Sequence, residues 1–241
     1  MGAALGWGAL AASSLVIGVL LAFARSWSRA LIGLILAFGA GALISAISLE
    51  LTEEAIAVGR PAAVALGLAL GALTYFVADG LLSHSDKPAP GNGEDKPDSG
   101  SGASLALGSF LDGVPEQAVL GIGLAGGEPV SVALLVAIFV SNLPEGIGAG
   151  VDMQAGGMPR ARILRLFLGV EAVCALSTGV GYAIADSISG DLQAVVNGFA
   201  AGALLVMLID SMIPESREKG GRPAGLIAVV GFAVATALSN L

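Results

Sequence analysis

Phe110-Leu111-Asp112-Gly113-Val114-Pro115-Glu116-Gln117 and Phe139-Val140-Ser141-Asn142-Leu143-Pro144-Glu145-Gly146 are near-copies, 29 residues apart, set in apolar surroundings. A glycine comes at the same offset in each, Gly121 and Gly150. A carboxylate at membrane depth is costly, and proline removes a helical N–H and breaks the helix it sits in. Finding both together twice points to a buried polar site built from two facing helices.

Composition sets the surroundings. The chain has 241 residues, is 55% hydrophobic and 12% charged, and has a mean hydropathy of +0.87, which excludes a soluble globular domain and indicates a polytopic membrane protein. Gly is abundant at 36 residues, and small residues let membrane helices approach closely. Aromatic residues and cysteine are too few for a haem, a flavin or a disulfide framework, and Cys174 is the single cysteine. A net charge of −8 without a basic patch gives no sign of nucleic-acid binding. The stretch from Met1 to Trp7 lacks a basic signal-peptide region and is read as mature protein.

Apolar runs able to cross the ~30 Å hydrocarbon layer lie at about 3–24, 30–50, 61–82, 103–126, 129–151, 163–186, 192–212 and 223–241. They predict an all-α integral membrane protein of eight transmembrane helices forming one domain over 1–241. Residues 83–102, rich in Pro, Gly, Ser, Asp and Lys, predict a flexible loop between the third and fourth helices. Of the 11 basic residues, Arg60 stands alone on one side of this arrangement. Arg25, Arg29, Lys87, Lys96, Arg160, Arg162, Arg165, Arg217, Lys219 and Arg222 share the other. By the positive-inside rule that side is cytoplasmic and both termini are extracytoplasmic.

A second repeat is weaker. Ala40-Gly41-Ala42-Leu43-Ile44 matches Ala201-Gly202-Ala203-Leu204-Leu205, and the same offset of 161 residues pairs Glu54 with Glu215. Each repeat joins helices of opposite direction, the trace of inverted repeats: helices 1–3 against 6–8, and helix 4 against helix 5.

Glu116, Glu145 and Glu171 lie well inside predicted helices, and Asp112 shares a helix face with Glu116. Each charge at the bilayer centre costs about 3 kcal/mol, so four cost on the order of 10 kcal/mol if ionised and unpaired. Every Lys and Arg lies in a loop or at a helix end. The counter-charge must therefore be protons or a bound cation. The prolines free carbonyls four residues back, at Leu111 and Val140, and Ser141 and Asn142 add further oxygen donors. There is no intramembrane histidine, because His84 falls in the expected loop. This all-oxygen set suits divalent cations of hard to borderline character. Glu50, Glu53 and Glu54 predict a solvated cap at the outer mouth that concentrates cations. Asp152 and Asp210 lie near cytoplasmic helix ends.

With these motifs in hand, the chain resembles the ZIP (Zrt/Irt-like) family of divalent-metal transporters along nearly its whole length. The family's fourth helix reads roughly His-Asn-x-Pro-Glu-Gly and its fifth His/Gln-Asn/Glu-x-Pro-Glu-Gly/Glu. The stretch from Gly198 through Ile213-Pro214-Glu215-Ser216 is similar to its seventh helix. Here Asp112 replaces the fourth-helix histidine, as in a divergent bacterial-type member, and Gly113 replaces the asparagine. The resemblance implies a two-metal centre. Asp112, Glu116, Ser141 and Glu145 would hold one metal; Asn142, Glu116, Glu145 and Glu171 would hold the second.

The resemblance further implies a carrier in the cell (inner or plasma) membrane that brings Zn2+, or Mn2+, Fe2+ or Cd2+, into the cytoplasm. The metal is cargo, with no prosthetic group and no enzymatic step. Alternating access of two helix bundles and a homodimer in the lipid bilayer are also implied. The alternatives are a proton- or other-solute-linked carrier on the same scaffold, or a metal-binding membrane protein without transport. Outer acids would gather cations, and Asp152 and Asp210 would aid release inward.

Overall fold

The computed structural model describes residues 1–85, 101–125, 132–187 and 189–238. The rest of the expected 83–102 loop lies outside them. Apolar sequence free of breakers becomes helix almost throughout, with no strand among the described residues.

The rods in chain order are α1 (Gly2–Ala24), α2 (Arg29–Val58), α3 (Pro61–Ser85) and α4 (Ser101–Ala125). They continue with α5 (Val132–Ala155), α6 (Arg160–Ile184), α7 (Gly190–Gly220) and α8 (Ala224–Leu238). Six of them, α1, α2, α3, α5, α6 and α7, are long and apolar enough to cross a membrane, and α8 is a shorter apolar helix. This is the pattern of a multi-pass membrane protein.

α2 and α7 exceed their sequence-expected lengths for the same reason. Each contains one π-helical turn, Ile47–Leu51 in α2 and Leu208–Met212 in α7, and helix resumes beyond it. The wider turn takes in an extra residue and rotates the remainder of the helix. In α2 the Thr52 hydroxyl closes it by donating to the Ile47 carbonyl at 2.7 Å. Each helix is also started by a serine: Ser28 accepts from the Leu31 N–H at 3.2 Å and Ser189 from the Leu192 N–H at 3.3 Å.

Packing forms two groups of four. In one, α1 lies along α5, α4 along α6, and α1 against α6. In the other, α3 lies along α7, α2 along α8, and α2 against the end of α7. Glycine sets the closest approaches. A methyl on Gly41 would fall on the Ala228 carbonyl, and one on Gly202 would fall on that of Leu68. The contact ladders also give direction. Gly113 meets Cys174 and Gly121 meets Thr178, so α4 and α6 run parallel. Gly33 meets Gly220 while Gly39 meets Met212, so α2 and α7 run antiparallel. Core side chains such as Leu36, Leu43, Ile47, Ile138, Ile147, Leu204 and Leu208 join the two groups in one apolar cluster.

Candidate metal centre

Pro115 and Pro144 sit inside continuous helices, not at breaks. Both motifs lie near mid-helix, and α4 packs on α5. Glu116 is 1% exposed and Gln117 is fully buried. Gln117 belongs to the row facing α6: its Oε1 accepts from the Thr178 hydroxyl at 2.7 Å. Its Nε2 closes no hydrogen bond. Glu116 is turned about 100° away from that row by the helical period.

The same row explains Gly113. Cys174 Sγ stands 2.6 Å from where a Cβ on Gly113 would be, so a side chain from α6 fills the space that α4 leaves empty. Cys174 itself is buried.

On α5, Ser141 is buried and its hydroxyl donates to the Ile138 carbonyl at 3.0 Å, leaving its oxygen lone pairs available. α2 presses against it: a Cβ on Gly39 would lie 2.9 Å from Ser141 Cα. Asn142 is buried as well. Glu145, one turn beyond Ser141, shares its face and is half-buried.

Glu171 stands apart in height. The pairing of Gln117 with Thr178, 61 residues apart, sets the register of the parallel helices α4 and α6. Glu171 is therefore level with Phe110, about 9 Å along the axis from Glu116 at 1.5 Å per residue. It is half-buried. The Asp112 side chain lies outside the described residues. Among the described residues no three of His, Cys, Asp and Glu gather into a ready metal cage. Glu116 and Glu145 thus lie on two helices that pack against each other.

The acids expected at the mouth divide three ways. Glu53 is exposed, as a solvated cap would be. Glu50 buries its Oε1. Glu54 is half-buried because α2 continues to Val58 and lays it against α7, where its Oε1 accepts from Gln193 Nε2 at 3.2 Å. Asn197, one turn further along α7, is fully buried and faces the same carboxylate. Sequence reasoning missed Gln193 and Asn197. Their signal was faint: two carboxamides four residues apart in an otherwise apolar helix.

Arg60 is occupied elsewhere. Its backbone N–H and Nε donate to the two oxygens of Asp191 at 2.9 and 2.8 Å. The side-chain hydrogen bond to Asp191, with the charge of that carboxylate, raises the guanidinium above its usual range. Asp152 and Asp210 are both exposed. Nearby on α7, Glu215 is met by Lys219 at 2.5 Å.

No family model and no curated protein matches the chain.

Proposed function

We propose that the protein carries a divalent transition-metal ion across the membrane into the cytoplasm through a central carboxylate site. One observation carries this reading. Glu116 is 1% exposed and Glu145 is half-buried on packed apolar helices. Every Lys and Arg among the described residues lies in a loop or within two turns of a helix end. Carboxylates at that depth in apolar membrane helices mark an ion pathway.

Ser141 and Asn142 supply neutral oxygen beside Glu145, and Cys174 brings a thiol against Gly113 in the same helix motif. The donors are those of Zn2+, Cd2+, Mn2+ or Fe2+ as cargo. The ZIP-like architecture goes with this reading: inverted repeats, both termini outward, a dimer, and the cell membrane as location. It is supported by the antiparallel α2 and α7. It is supported again by repeat-related pairs packing alike, α3 on α7 as α2 on α8, and α1 on α5 as α4 on α6.

The test is uptake into proteoliposomes offered Zn2+, Cd2+, Mn2+, Fe2+ and Mg2+ in turn. Glu116→Ala and Glu145→Ala are each expected to lower transition-metal uptake more than tenfold. Variants that transport like the parent would overturn the site. Flux that tracks a proton gradient and ignores these metals would favour the other carrier reading.

A further inference from the structure

The end of the molecule where α1 finishes and α6 begins carries arginines with no acid beside them. α1 and α6 run antiparallel: Gly8 meets Thr178, and the Arg160 guanidinium lies 5.4 Å from the centroid of the Phe23 ring. At the same end of the other helix group, basic residues are paired, Arg29 with Glu218 at 3.3 Å and Lys219 with Glu215. Arg162 and Arg165 are exposed and form no ion pair among the described residues. Their position is unfavourable for the helix alone. With Arg160 they put positive charge at the start of α6, where the helix dipole favours acids, and the first turn holds none. Arg165 Nε donates to the Ala161 carbonyl at 3.1 Å, which turns the guanidinium back towards the level of Arg162.

Beyond the arginines the same face is apolar. Arg162, Arg165, Gly169, Val173, Leu176 and Val180 follow at spacings of three and four, one stripe along α6. All are exposed, and a Cβ on Gly169 would meet nothing within 4 Å, so the stripe is notched just past the arginines. From Gly169 to Val180 it runs about 17 Å by the helical rise. That is close to the depth of one leaflet, half of a ~30 Å hydrocarbon layer.

We infer that Arg162 and Arg165 bind the headgroup of an anionic phospholipid whose acyl chain lies along Gly169, Val173, Leu176 and Val180. The donors decide the headgroup. A guanidinium offers paired N–H groups that match two phosphate oxygens, and an anionic lipid lacks the ammonium that a second arginine would repel. The stripe decides the source: a soluble phosphate has no use for it, whereas a lipid fills the headgroup and tail positions together. Bound lipid offsets the charge that α6 sets against its own dipole. The stripe lies opposite the buried face of α6 that holds Phe167 and Cys174. It rests only on the membrane-spanning character of the chain, and its occupancy does not depend on transport.

The full chain in detergent is titrated with dioleoylphosphatidylglycerol or dioleoylphosphatidylcholine, and retained lipid is read by native mass spectrometry. Phosphatidylglycerol is expected to bind about tenfold more tightly, the scale of two basic groups at an anionic surface. Arg162→Gln/Arg165→Gln alters two exposed side chains and is expected to bring the two lipids within about twofold of each other. Arg29→Gln/Arg217→Gln removes the same charge from the other helix group and is expected to keep the preference, which separates a site from general attraction. Glycerol 3-phosphate, a phosphate without acyl chains, is expected not to displace the bound lipid. The inference is overturned if the parent holds the two lipids alike or if the Arg162/Arg165 variant keeps the parent's preference. It is equally overturned if the Arg29/Arg217 variant loses that preference as fully. Displacement by glycerol 3-phosphate would make this a free-anion site and overturn the lipid assignment.

Discussion

Glu54 and Glu215 occupy equivalent places in α2 and α7, 161 residues apart, and meet opposite fates. Glu215 is neutralised by Lys219 one turn away, at 2.5 Å. Glu54 is met by the amides of Gln193 and Asn197 instead. Around these two residues the backbone is the same at successive points. Ser28 and Ser189 cap the helices. Gly41 and Gly202 admit the neighbouring helix, and the π turns Ile47–Leu51 and Leu208–Met212 fall at the same offset. Backbone and packing are alike in both halves while the charge differs. One end of the pair is closed by an ion pair, and the other by amide hydrogen bonds.

The sameness can be broken first. Gly41→Ala and Gly202→Ala each push a methyl into a carbonyl of the neighbouring helix. Each is expected to destabilise by about 1–3 kcal/mol, the usual cost of overpacking. Denaturant unfolding in micelles should find the two losses alike; a loss at only one would break the equivalence. The difference is sharpened by Asn197→Leu. It should cost about 1 kcal/mol, because the half-buried Glu54 carboxylate loses an amide partner. An unchanged or higher melting temperature would show that the amide does not serve the carboxylate. The smallest effect belongs to Lys219→Ala, expected to cost about 0.5 kcal/mol as an i,i+4 pair with one partly exposed partner. A loss of several kcal/mol would mean that this end of α7 depends on its ion pair.

Much of the fold was legible because lipid imposes a simple rule: backbone polar groups must be satisfied within the segment, so apolar runs become helices. The Pro-Glu copies located Glu116, Ser141, Asn142 and Glu145 on facing helices for the same reason. Lengths were less legible. A π turn has no strong sequence mark, so the apolar run predicts an end to α2 near 50, whereas the helix continues to Val58. That extension turns Glu54 from a solvated cap into a partner of α7. Register was not legible at all. Only the pairing of Gln117 with Thr178 shows that Glu171 stands about 9 Å from Glu116 along the helix axis, by the helical rise.

The sequence by itself determined the solvent, the helices and the placing of the basic residues towards loops and helix ends, because hydropathy and charge placement are local properties of the chain. Tertiary structure alone decided which polar groups meet. Cys174 fills the space over Gly113, and Asn197 is set beside Glu54. Such meetings depend on how far one helix slides and turns against another. A shift of one residue turns a side chain by about 100°, and no single helix carries that information.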